Sequence, residues 1–168
     1  MRITRDEYYL GIARAVALRS PCLRRKYGAI VVKNDAIVST GYNGPARGST
    51  NCEEVGCIKE ILQLPHYSGY DYCPAVHAEE NAVINAARNG TSVLDGILYL
   101  FGIDVATEKP VAGIPCPRCK RVLINAGVKE IVTLDENGEI VRYDVKKWMS
   151  EDRENYWNIV EKAKKNQL

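Results

Sequence analysis

The chain has 168 residues, 46% of them hydrophobic and 26% charged, with 23 basic against 21 acidic residues and a net charge of +2. This length and mix suit one globular domain with room for a sizeable core. No stretch of eighteen uninterrupted apolar residues occurs, which excludes a membrane-spanning helix, and the near-neutral balance argues against a strong polyanion binder.

Residues 1–7 lack the apolar core of a signal peptide, so a cytoplasmic location is expected. Thr4, with Glu7 three residues later, forms a capping box. Tyr8, Ile12, Ala15, Val16 and Arg19 then trace a helix that must stop before Pro21. Residues 28–33 and 36–40 are β-rich runs either side of Asn34-Asp35, the pattern of a hairpin. Residues 41–75 are irregular, punctuated by Gly41, Gly44, Pro45, Gly48, Pro65, Gly69 and Pro74, with a short helix expected at about 53–62. A loop this long inside a compact domain is usually functional, or is pinned by something other than a core. Residues 77–88 have helical spacing (Ala78, Ala82, Val83, Ala86), and Asn89-Gly90 supplies the stop. Residues 96–101 form a buried-strand candidate, 116–126 a helix ended by Gly127, and 129–134 a further strand. Residues 135–138 turn the chain, 139–143 add an edge strand, and an amphipathic helix at about 150–165 carries Trp157. Strands alternating with helices imply an α/β fold. Residues 1–168 are therefore expected to form a single three-layer α-β-α domain, with a mixed central sheet of about five strands covered by helices on both faces.

The chain has six cysteines and only two histidines. In a reducing compartment such cysteines are more often metal ligands or buried thiols than disulfides. Cys116 and Cys119 lie at i and i+3 in the first turn of a predicted helix, so both sulfurs share one face. The positive end of that helix favours the thiolate a metal needs. His77 would complete three ligands around Zn²⁺, leaving a fourth position open for water, as catalytic zinc sites do. Glu79, two residues on, is placed to take and return that water's proton. A thioredoxin-like pair would use Cys116 and Cys119 too, but it explains neither His77 nor Glu79. A purely structural zinc would need a fourth strong ligand from the upstream cysteines. Those cysteines (Cys22, Cys52, Cys57 and Cys73, with His66 as an alternative) flank or lie within the long irregular segment. They are read either as a second, structural zinc site that ties the segment down or as buried and idle thiols. The run Arg24-Arg25-Lys26 is read as a solvated loop or as a phosphate contact.

The segments Gly41-Tyr42-Asn43-Gly44, His77-Ala78-Glu79-Glu80-Asn81-Ala82 and Pro115-Cys116-Pro117-Arg118-Cys119 resemble the deoxycytidylate (dCMP) deaminases of the cytidine deaminase superfamily. Ser20-Pro21-Cys22-Leu23-Arg24-Arg25 with Gly28-Ala29 resembles the same branch, and the resemblance covers roughly residues 5–134. It implies a cytidine deaminase-like fold, one catalytic zinc, and hydrolytic deamination of dCMP to dUMP with release of ammonia, Glu79 acting as proton carrier. It also implies that Asn43 contacts the sugar or base edge, although an asparagine between tyrosine and glycine equally suits a positive-φ turn. Arg24, Arg25, Lys26 and Arg47 are candidates for the 5′-phosphate, and Arg118 for contacts to the thiolates. The family further implies a homo-oligomer, with Trp148 and Trp157 marking either an interface or the core, and regulators of the dCTP or dTTP type. A nucleotide partner is expected, with no nucleic acid and no membrane. The alternative keeps the chemistry on another free nucleoside, nucleotide or base (cytidine, guanine-type or pterin-like), or less favourably on a nucleic acid, for which a basic face is lacking. Residues 101–114 separate a strand from Pro115 by more than the family usually allows. They are read as a pocket wall, a lid or a neutral surface hairpin.

Overall fold

The computed structural model describes residues 1–66 and 68–165. Helix α1 (Arg5–Ala17) starts at Thr4, whose hydroxyl accepts from the Glu7 amide while the Glu7 carboxylate accepts from the Thr4 amide. A cap of this kind contributes about 1 kcal/mol. Strands β1 (Arg25–Lys33) and β2 (Ala36–Tyr42) form the expected hairpin. Asn34 and Asp35 turn it with φ of 50° and 60°, the left-handed pair that matches the twist of a two-residue loop. A two-residue strand β3 (Gly44–Pro45) and single-turn helices α2 (Cys52–Val55) and α3 (Ile58–Ile61) follow. Strand β4 (Ala75–Val76), which pairs with β3, leads into α4 (Ala78–Arg88). Strand β5 (Ile97–Asp104), β6 (Pro110–Val111), helix α5 (Pro117–Asn125), β7 (Glu130–Leu134), β8 (Ile140–Asp144) and helix α6 (Val145–Lys164) complete the order.

The main sheet runs β2-β1-β5-β7-β8, with β6 added to the end of β5; only β5 and β7 are parallel. Alternation along β1 assigns its two faces. Ala29 and Val31 pack with Ala78, Ala82, Leu123 and Trp148, the faces of α4, α5 and the start of α6. Ile30 and Val32 pack with Tyr9, Leu10, Ala13 and Ala17 of α1. This is the mixed sheet with helices on both sides that the pattern predicted. Gly41 lets α4 lie flush on the sheet: a Cβ there would collide with the backbone of Ala78 and Ala82. Helix α4, whose first residues carry the chemistry, is thereby fixed against β2. Among the described residues no helix is long and apolar enough to cross a membrane.

Four boundaries differ from expectation. Strand β1 begins at Arg25, so Arg25 and Lys26 are strand residues rather than loop, paired with Asp104 and Ile103 of β5. The helix expected near 53–62 is two single turns, broken where Gly56 takes φ of 90°. Helix α6 starts at Val145, directly after β8, because Asp144 caps it and Val145 and Trp148 are drawn into the core. Residues 101–114 form a hairpin: β5 runs on to Asp104, and Val111 returns opposite Gly102.

Candidate active site

Both halves of the site are helix starts. His77 and Cys116 hold extended N-cap conformations immediately before α4 and α5, and Pro117 occupies the first turn of α5. Proline suits that position, where no amide hydrogen is needed. The Cys116 sulfur accepts from the Cys119 amide at 3.5 Å. The sulfurs of Cys116 and Cys119 lie 3.5 and 3.3 Å from Nδ1 of His77, and the three ligand atoms all lie within 4.8 Å of one another. Tetrahedral zinc, with Zn–N of about 2.0 Å and Zn–S of about 2.3 Å, sets N···S separations near 3.5 Å. The donor set therefore fits zinc, and among the described residues it is the one such group found placed to hold a metal. Cys119 is completely buried.

The electrostatics agree with this geometry. Hydrogen bonding from Cys119 and His77 pulls the Cys116 thiol down to about 4, so it is a thiolate at neutral pH. Its interaction with Cys116, together with burial, pushes the Cys119 thiol up. A cation bound between the two sulfurs would displace a thiol proton. Glu79 is 5% exposed, and burial raises its carboxyl above the usual range. It lines the same cavity as His77 and Cys116.

Arg118 does not turn to the sulfurs. Its Nε and Nη2 donate to Oε1 and Oε2 of Glu80 at 2.7 and 3.0 Å. The same Oε2 accepts from the His77 amide at 3.1 Å, so Glu80 ties the start of α4 to the start of α5. Neither Glu80 nor Tyr70 was singled out by the sequence. The Tyr70 ring packs 5.5 Å from the His77 imidazole, with Lys59 over it at 5.0 Å. The Glu80 contact had a readable signal, since a glutamate three residues after an N-cap is a capping box. Tyr70 had none, because it reaches His77 from an irregular segment.

Of the phosphate candidates, Arg24 and Arg25 line the cavity, whereas Lys26 and Arg47 do not. Arg47 is exposed and donates to Asn85 at 2.6 Å. The Arg24 side chain is 12% exposed; its Nε lies 2.6 Å from Glu60, Nη2 lies 3.4 Å from His66 Nδ1, and Nη1 has no hydrogen-bond partner among the described residues. Arg25 lies 3.9 Å from Asp104, and the Val105 amide donates to the Arg24 carbonyl. The 101–114 hairpin therefore braces the arginine-bearing end of β1, and Ile114 at its foot lines the cavity. Asn43 is buried and does not adopt positive φ. Its Oδ1 accepts from the Tyr27 amide at 2.7 Å and its Nδ2 donates to the Arg25 carbonyl at 3.0 Å. One amide hydrogen is left over among the described residues.

Cys22, Cys52, Cys57, Cys73 and His66 line this same cavity, and all four thiols are free. Burial and the neighbouring Cys22, Cys57 and Cys73 raise the Cys52 thiol. The four are gathered, yet less tightly than the His77 group. His66 faces Arg24, and burial and the surrounding cations hold its pKa down.

Residues 3–135 match the model of the cytidine and deoxycytidylate deaminase zinc-binding region. Deoxycytidylate deaminase from Schizosaccharomyces pombe is 35% identical over 127 residues, covering 76% of this chain and 36% of that protein. The deoxycytidylate deaminase of Mycobacterium phage D29 is 35% identical over 132 residues, covering 76% of this chain and 91% of that protein. The chain thus spans about a third of the yeast relative and most of the phage one. The dCMP deaminase of cyanophage S-TIM5, solved in complex with dCMP and dUMP, superposes with a TM-score of 0.58 at 29% identity, over 80% of this chain and 84% of that one.

Proposed function

Because the chain belongs to the cytidine and deoxycytidylate deaminase family, we propose that it hydrolyses the 4-amino group of dCMP, giving dUMP and ammonia. One observation carries this reading: a single cavity is lined by the metal ligands His77 and Cys116, by Glu79, and by Arg24 and Arg25. The relatives named deoxycytidylate deaminase support the substrate. When bound by His77, Cys116 and Cys119, zinc supplies a water that ionises near neutral pH. Glu79 accepts the proton so released and passes it to ring N3, then takes the second proton of the same water, from the oxygen now on C4, and delivers it to the departing amine. Its burial keeps bulk water from competing for that proton. Asn43 holds the main chain at Arg25 and Tyr27 and offers its remaining amide hydrogen to the nucleotide. Arg24 and Arg25 take the 5′-phosphate; Lys26 and Arg47 have no part in this cavity. The family's homo-oligomer, regulation by dCTP- or dTTP-type nucleotides and a cytoplasmic setting belong to the same reading.

Ammonia release from dCMP and from deoxycytidine tests the substrate. The monophosphate is expected to be the better substrate in kcat/KM, and Arg24→Ala should erase most of that preference through KM, by about 10- to 100-fold, the worth of one charge-assisted hydrogen bond. Equal efficiency on nucleoside and nucleotide would defeat the assignment.

The cysteines of the irregular segment form the second part of the proposal: Cys22, Cys52, Cys57 and Cys73 hold a structural zinc. Helices α2 and α3 bury none of their own residues, so apolar packing alone does not account for their order, and a metal would supply the missing folding energy. Metal analysis is expected to find two zinc ions per chain and one in Cys52→Ala, which keeps the His77 site. A single zinc in the wild-type protein, lost with Cys119, would leave these four as plain thiols.

A further inference from the structure

Two more basic side chains line the active-site cavity: Lys59 of α3 and His66 in the turn beyond it. Glu60 of α3 holds the Arg24 guanidinium at Nε, 2.6 Å away, and His66 Nδ1 meets Nη2 of the same group at 3.4 Å. A guanidinium only donates, so Nδ1 of His66 must accept there. Desolvation and the nearby Arg25, Arg24 and Lys59 oppose a second proton on the ring. The one proton of the neutral imidazole therefore sits on Nε2, which makes His66 a donor through its other nitrogen. Lys59 is half-buried and adds a third cation to Arg24 and Arg25. Among the described residues the one carboxylate that lines the cavity is Glu79.

We propose that His66 and Lys59 complete the 5′-phosphate site, His66 by donating from Nε2 to a phosphate oxygen and Lys59 as a charge beside it. The assignment rests on the reading of Arg24 and Arg25 as phosphate partners. A phosphate monoester carries close to two negative charges at neutral pH and offers three acceptor oxygens. The two arginines alone fall short of that demand, because Glu60 and Asp104 lie 2.6 and 3.9 Å from them and offset part of their charge. Lys59 makes up the charge, and the neutral imidazole supplies a further donor without another cation to desolvate. Glu60 acts here as a positioning residue, since its ion pair fixes the guanidinium against which His66 sets its ring. The irregular segment that carries α3 thereby becomes the part of the cavity that tells a nucleotide from a nucleoside.

Calorimetric titration of the zinc-loaded enzyme with dUMP and with deoxyuridine tests this, because neither ligand is turned over. The wild-type protein should prefer dUMP. His66→Phe should cut the ratio of the two affinities about tenfold, the worth of a hydrogen bond to a charged acceptor. His66→Gln, which restores a donor, should recover most of that loss, and Lys59→Met should lower the ratio about fivefold. Zinc content should be the same in each of these proteins. A ratio unchanged in His66→Phe would overturn the role of His66, and one unchanged in Lys59→Met that of Lys59. In both cases a collapse in Arg24→Ala would leave the arginine reading standing. A wild-type protein with no preference for dUMP would overturn the phosphate site altogether. Loss of one zinc in His66→Phe would make His66 a metal ligand and overturn its part in binding phosphate.

Discussion

Glu79→Gln is expected to lower kcat by about 10³-fold or more while the His77 site keeps its full complement of zinc. Glutamine preserves the size of the side chain, so the buried position is neither emptied nor overfilled. What is lost is the ability to accept a proton, and each deamination needs a proton moved from water to the ring and another to the leaving amine. Because the carboxylate is not among the three metal-binding side chains, metal content and melting temperature should change little. Zinc analysis beside steady-state kinetics separates the two effects. Normal zinc with normal turnover would remove Glu79 from the chemistry.

Cys119→Ala should abolish both metal binding at the His77 site and activity. Its sulfur lies 3.3 Å from His77 Nδ1 at a completely buried position, so water cannot readily stand in as a ligand. Two remaining ligands bind zinc far more weakly than three, and turnover is expected to fall below detection. Cys116→Ala should behave alike and cost about a further 1 kcal/mol of stability, since Cys116 also caps α5. The check is the melting temperature with and without added zinc: the shift produced by the catalytic site should vanish in Cys119→Ala. A retained shift, with zinc still bound near His77, would mean that Cys119 is not a ligand.

The metal site was legible because its signal is local. Cys116 and Cys119 span the first turn of α5, where i,i+3 spacing puts both sulfurs on one face, and His77 and Glu79 stand two residues apart at the start of α4. The β-rich run of Ala29, Ile30, Val31 and Val32 likewise marked a strand of the hairpin. Long-range pairing was hidden. Arg25 and Lys26 belong to β1 because Asp104 and Ile103 lie opposite, and nothing within a few residues of Arg25 says so. The role of Asn43 was out of reach for the same reason, since its partners are main-chain atoms of another strand. Among four basic candidates, only contact with a shared cavity distinguishes Arg24 and Arg25 from Lys26 and Arg47. The start of α6 was missed because Lys146 and Lys147 obscure the Val145–Trp148 spacing.

The link through Glu80 bears on how the enzyme is supplied with metal. His77 and Cys116 are 39 positions apart, on helices that in a looser protein would have to find each other around an incoming ion. Here a carboxylate gripping one helix by its main chain and the other by a guanidinium keeps the claw half closed in advance. Little order is left to impose at the moment of loading, so capture should be quick and escape slow. A newly made chain in a zinc-poor cell could then wait, folded and receptive, until the ion arrives.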